Sequence, residues 1–372
     1  MYRPLDFPLV LLPGIFLVGA IIGSWLNVCI LRLPLEKSIV WPDSHCMNCL
    51  HPIRWRDNLP IVSYWLLGGK CRHCGVRFSR RYMLIELGVA SGFCLLWWYY
   101  LVWVPESAGT GVLQINPYKN VPKLALAGWW LASVIFLCFL VVATFTDLDH
   151  REIPLRLTIP GTILGIILGT IYPWPFPLKP MVPADAILGG MNISEGAIFL
   201  LPQGVQPWPF AVVDIPWLVP GTPGLGFVTA VLGALAGTGL IRGLRFLFSW
   251  GFRKEAMGLG DADLLMMIGA FLGWQSILFV LLYAIVLGVI FIILGVLYFV
   301  LFNQPMMRDL AFGPYLAGGA VVTLYGPIPS YVVGQRLLFD VPLILLFLVV
   351  GVVLTVSICY VWRVAAVVRR AW

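Results

Sequence analysis

Charge is scarce in this chain. Lys, Arg, Asp and Glu together make up 11% of the 372 residues, while 60% are hydrophobic and the mean hydropathy is +0.93. A soluble globular protein carries about a quarter charged and about half apolar residues, so that class is excluded and an integral membrane protein remains. Histidine is nearly missing as well: outside residues 45–73 only His150 is found. That leaves no Ser-His-Asp or Cys-His constellation elsewhere in the chain. The cysteines do not supply a disulfide framework. Four form two Cys-x-x-Cys pairs, and Cys29, Cys94, Cys138 and Cys359 lie singly in apolar runs, where a thiol behaves as a small hydrophobe. A basic start before the first apolar run is also lacking, so no cleavable signal is expected. There is no internal repeat, no low-complexity tail and no Gly-rich nucleotide loop.

What fills the chain is long apolar runs. A hydrocarbon layer about 30 Å thick takes roughly 20 helical residues to cross. Cut at that length, the runs predict spans near 9–31, 83–104, 124–145, 157–172, 226–249, 262–275, 276–302, 312–329 and 341–362. The expected fold is an all-α polytopic membrane protein with about eight to nine transmembrane helices. With the amino terminus outside, 19 of the 24 Lys and Arg residues fall inside, and only Arg3, Lys119, Lys123, Lys179 and Arg336 fall outside. The positive-inside rule therefore sets the orientation, accounts for the net charge of +7, and removes the reason to expect a nucleic-acid partner. Residues 173–225, rich in Pro, Gly and Trp, read as an irregular extracytoplasmic loop. The chain divides into an amino-terminal region, 1–104, holding two spans and a cysteine-rich cytoplasmic loop (32–81). A core over 124–329 follows, and an additional span with a basic tail over 341–372 closes it.

Within the cytoplasmic loop, Cys46-Met47-Asn48-Cys49 and Cys71-Arg72-His73-Cys74 stand 21 residues apart. Two such turns can close four thiolates around Zn²⁺, and a site with four protein ligands leaves no open position, so the expected zinc is structural. Disulfides are disfavoured on the reducing side of the membrane, and a redox role would need only one pair. His45, His51 and His73 flank the knuckles as alternative ligands.

Two carboxylate motifs complete the inventory. Thr146-Asp147-Leu148-Asp149-His150-Arg151-Glu152-Ile153-Pro154 ends the third span, and Met257-Gly258-Leu259-Gly260-Asp261-Ala262-Asp263 opens the sixth. A carboxylate at the edge of a hydrocarbon layer is costly unless it pairs, titrates or meets water. The topology puts both motifs on the cytoplasmic face, where Asp147 and Asp261 could share one proton and activate water. Asp149, two residues on, cannot share a helix face with Asp147. Gly258 and Gly260 are expected to allow unusual backbone angles and close helix approach, aiming Asp261 into the bundle. The blander readings are an Asp N-cap after a Gly-rich lead-in, and interfacial carboxylates paired with Arg151 and Arg156. On these residues alone, a transporter or scaffold binding protons or cations stays open beside an enzyme.

These motifs, in this order, resemble the type IV prepilin leader peptidases that also N-methylate their product, a family of GxGD-type membrane aspartic peptidases. The resemblance runs from Gly23-Ser24-Trp25-Leu26-Asn27 through both cysteine pairs, Trp55 to Pro60, Ser79-Arg80-Arg81-Tyr82 and Glu86. It continues through Asp147 to Pro154, Gly258 to Asp261, Ala270 to Trp274, and Phe312-Gly313-Pro314-Tyr315. It implies that Asp147 and Asp261 are the catalytic pair, with Asp149 secondary, and that the core over 124–329 is the peptidase. It implies prepilin or pseudopilin substrates with a basic leader, cleaved at the cytoplasmic face of the bacterial inner membrane in a lipid bilayer, and S-adenosylmethionine as methyl donor. Asp263 departs from the pattern, which usually has Lys there. The loop 173–225 and the last span are longer or additional.

Overall fold

A computed structural model describes residues 7–103, 123–172, 187–188, 191–192, 223–252, 258–274, 276–302 and 311–325. The predicted span 341–362 and nearly all of the loop 173–225 lie outside the described residues. Among the described residues ten α-helices run in chain order: α1 (Phe7–Val10), α2 (Leu12–Arg32), α3 (Val62–Leu66), α4 (Arg80–Trp98), α5 (Lys123–His150), α6 (Leu155–Ile171), α7 (Pro223–Phe252), α8 (Leu259–Leu272), α9 (Ser276–Phe302) and α10 (Gly313–Tyr325). Among the described residues the only strand ladder is the two-residue pairing of Ile187–Leu188 with Met191–Asn192. The all-α reading holds, and eight of the helices coincide with eight of the predicted spans. Five of them, α2, α4, α5, α7 and α9, are long and apolar enough to cross a membrane. The other three are shorter: α6 has 17 residues, α8 has 14 and α10 has 13.

Helix ends follow local chemistry. Ser79 caps α4, its hydroxyl accepting the Arg81 amide at 3.2 Å. Pro154 enters α6 from extended backbone, and α8 stops at Gly273, whose φ of 80° only glycine takes without strain.

What assembles the helices is small residues at crossing points. In lipid no hydrophobic force pulls one apolar helix onto another, so close backbone packing must do so, and Gly-x-x-x-Gly provides it. On α2, Gly19 and Gly23 face α4; a Cβ on them would stand 2.8 Å from the Cα atoms of Ala90 and Glu86. On α7, Gly233 and Gly237 lie against the backbone of Gly269 and Leu265 in α8, with no room for a side chain. On α6, Gly161 meets Met267, and a Cβ on Gly165 would be 2.9 Å from Phe271. The result is that α8 is enclosed by α6 and α7, and from Ala262 to Leu272 every residue except Met266 is buried. This enclosed helix carries Asp261 in its first turn.

Candidate active site

The site is built where α5 ends and α8 and α10 begin. After His150 the chain reverses: the Arg151 amide donates to the Asp147 carbonyl at 3.0 Å with φ at 58°, and Pro154 starts α6. That reversal places buried Ile153 between two glycines. A Cβ on Gly260 of α8 would be 3.3 Å from Ile153 Cβ, and one on Gly313 of α10 would be 3.2 Å from Ile153 Cδ1. Around this wedge lie the two carboxylates. Buried Asp147 accepts the backbone N–H of Gly313 at 3.0 Å through Oδ2, and Asp261 lies close enough for the Asp147 charge to act on it. Two carboxylates brought together in this way can share one proton.

In the second motif Gly260 serves close approach, to Ile153, and neither glycine takes a positive φ. Gly258 is ordinary extended backbone, φ −69° and ψ 146°, and it is Gly258, not an aspartate, that occupies the N-cap of α8. Asp261 sits three residues further on, inside the helix. The Asp N-cap reading is thereby corrected: the carboxylate faces the site and caps nothing among the described contacts.

Asp149 and Asp263 face elsewhere. Asp149 points away from Asp147, as two-residue spacing on a helix requires, and is held by Arg81 of α4 through two bonds of 2.6 and 2.7 Å. The Arg81 guanidinium also lies over the Phe145 ring, 4.8 Å from its centroid. Asp263, buried, pairs with Arg242 of α7 at 2.9 Å. Arg156 pairs not with the 147–149 cluster but with Glu36, at 3.4 Å. Sequence spacing could not find these partners, because each comes from a distant segment of the chain. Gly313 and Ile153 were likewise without a role on the sequence, since a backbone amide and a packing wedge leave no chemical signature.

The cysteine loop forms a second centre. The Sγ atoms of Cys46, Cys49, Cys71 and Cys74 all lie within 4.8 Å of one another. Each knuckle turns in the same way. Leu50 and Gly75 donate to the carbonyls of Cys46 and Cys71 at 2.8 and 2.9 Å, and both residues have positive φ, 54° and 72°. Each knuckle is closed by one bridge, His45 with Pro52 and Lys70 with Arg77. N–H groups point at the sulfurs. The amides of Cys49 and Asn48 pull the Cys46 thiol below its ordinary range, and the amide of Val76, helped by Asn48, pulls Cys74 down to about 6, while Cys49 is pushed up to about 11. Four thiols, two from each knuckle, gathered this closely are the donor set a four-coordinate metal needs. His51 and His73 stack on each other, centroids 4.4 Å apart, rather than entering this set.

The fold and the site define a polytopic membrane protein with a paired carboxylate site and a four-cysteine centre. The description of the type IV leader peptidase family matches residues 134–201 and 206–293, and that of the bacterial peptidase A24 N-terminal domain matches 17–100. The chain belongs to the type IV leader peptidase family. It is similar to the prepilin leader peptidase/N-methyltransferase of Aeromonas salmonicida (strain A449), with 30% identity over 84% of this chain and 90% of that one. A protein of the same description from Myxococcus xanthus (strain DK1622) is 32% identical over 74% of this chain, and the match spans 60% of that protein's length. The type 4 prepilin-like proteins leader peptide-processing enzyme of Escherichia coli O78:H11 is 29% identical over 82% of this chain and 91% of its own. No solved structure matches the chain.

Proposed function

We propose that this protein is an aspartic endopeptidase that removes the leader from prepilin-like precursors and N-methylates the new amino terminus, working at the cytoplasmic face of the inner membrane. The observation that carries the peptidase reading is the meeting of Asp147 and Asp261 around the Ile153 wedge, with the Gly313 amide on Asp147. In this reading the pair holds one proton. Asp147, oriented by the Gly313 N–H, accepts a proton from water, and the oxygen attacks the scissile carbonyl carbon. Asp261 gives its proton to the carbonyl oxygen. When the resulting tetrahedral species collapses, Asp147 returns its proton to the leaving amine and Asp261 regains one from the hydroxyl, so the pair ends as it began. Asp149 and Asp263 act through their ion pairs as positioning groups.

Cys46, Cys49, Cys71 and Cys74 would hold a structural zinc, whose four protein ligands leave no position for water or substrate. The methyl transfer, with S-adenosylmethionine as donor, rests on family membership and on the names of the relatives. Pseudopilins of secretion systems are included in the proposed substrate class.

Mass spectrometry of a co-expressed prepilin tests both activities together. The expected product has lost its leader and gained one methyl group at the new amino terminus. Asp147→Asn and Asp261→Asn should each lower cleavage by about 10²–10⁴-fold, the range for losing a proton-transfer group. Full cleavage by either variant would overturn the assignment.

A further inference from the structure

Between the two knuckles the cytoplasmic loop does something that zinc binding does not require. Ile61, a β-branched residue, takes a φ of 63°, a conformation that persists only where the surroundings impose it. What imposes it is Glu86. The Ile61 amide donates to Glu86 Oε2 at 2.7 Å, and the same carboxylate is bonded by the Ser24 hydroxyl of α2.

The position of Glu86 gives the depth of this tether. It stands six residues past Arg80 on α4, so at 1.5 Å per residue it is about 9 Å along the helix from the basic residues that open it. On the neighbouring α2 it packs against Gly23, nine residues before Arg32, or about 13 Å from that end. Arg32, Arg80 and Arg81 mark where two apolar membrane helices meet water on this side. The chain at Ile61 is therefore drawn down beside the two helices, past the level of those arginines.

What it carries there is apolar and uncovered. Immediately after Ile61 comes α3, whose Trp65 and Leu66 are 71% and 74% exposed, and Leu59 and Val62 are exposed with them. Just before it, exposed Trp55 lies under the Arg56 guanidinium, 5.3 Å from the ring centroid, with Arg54 beside it. Large apolar side chains held below the arginines meet lipid, and a Trp–Arg pair above them suits the headgroup layer, where aromatic rings and cations collect.

We propose that residues 54–66 are an interfacial anchor: α3 lies in the leaflet on the knuckle side, its Trp65 and Leu66 among the upper acyl chains and Trp55, Arg54 and Arg56 at the phosphates. The occupant of this exposed face is the bilayer itself. The anchor fixes the cysteine centre against the membrane surface, and it does not depend on which reaction the carboxylates perform.

Photocrosslinking tests it in the full chain. Trp65 and Leu66 are each replaced with benzoylphenylalanine, and the protein is reconstituted in vesicles of phosphatidylethanolamine and phosphatidylglycerol. After illumination the protein is digested for mass spectrometry. The same replacement at Leu84, exposed on α4, supplies the lipid-facing standard. Both loop positions are exposed, so neither replacement removes packing. The expected result is a gain of phospholipid mass on the peptides holding positions 65 and 66, in yields comparable with position 84. Absence of that mass at both loop positions while position 84 shows it overturns the proposal, and so does cross-linking of both to polypeptide in place of lipid.

Discussion

Gly313 shows how much the site asks of single atoms. Its amide is a donor to Asp147, and a Cβ there would stand 2.5 Å from Asp147 Oδ2 and 3.0 Å from Cγ. Gly313→Ala keeps the N–H but forces the carboxylate aside. Since a displacement of about 1 Å in a catalytic group costs roughly 10²-fold, cleavage should fall by about that factor while the protein remains folded, as read by leader processing and by yield in membranes. A second consequence of the pair is its pH behaviour. Only the singly protonated state has both a base and an acid, so cleavage by isolated membranes should rise and then fall with pH. A flat profile across the range in which the protein stays folded would contradict the shared proton. The residue scale is also where the sequence was least legible. Asp147 and Asp261 announce themselves as carboxylates in apolar surroundings, but the Gly313 amide, the Ile153 wedge and the partners Arg81 and Arg242 are set by tertiary contacts between distant segments.

At the scale of helices, crossings made of glycine replace the interlocking side chains of a soluble core. Gly233 and Gly237 on α7 lie directly on the backbone of α8. Gly237→Leu should therefore separate the two helices, at a cost of at least the ~1–3 kcal/mol of an overpacked core, seen as a lower unfolding midpoint of purified protein in detergent. The same change at Gly239, where a Cβ meets nothing within 4 Å, should be close to neutral and serves as the control. Helix existence and approximate ends were legible from hydropathy alone, because a bilayer imposes length and apolarity on what crosses it. The crossing pattern was also written in the chain, as Gly-x-x-x-Gly in α2, α6 and α7. Which helix each stripe would meet was not, since any apolar helix can receive a stripe of glycines.

For the whole molecule, two ion pairs among the described residues join the two matched regions of the family: Arg81 and Glu36 belong to 17–100, and their partners Asp149 and Arg156 to 134–201. The Arg81–Asp149 pair is partly exposed, so its direct contribution is expected to be at most ~1 kcal/mol, and the Arg156–Glu36 pair is more exposed still. The cysteine centre should matter more to the amino-terminal region. Purified protein is expected to carry about one equivalent of zinc, and Cys46→Ser should lose it along with protease resistance of residues 32–81; unchanged metal content in that variant would refute the four-cysteine site. Finally, the three helices that start around the carboxylate pair, α6, α8 and α10, are the shortest of the eight that coincide with predicted spans. A 14-residue helix rises about 21 Å, against about 30 Å of hydrocarbon, so an α8 whose far end reaches the opposite surface begins about 9 Å below the near one. In that placement the carboxylate pair lies below the near surface of the membrane, and a peptide cut there would have to be lowered out of the aqueous phase.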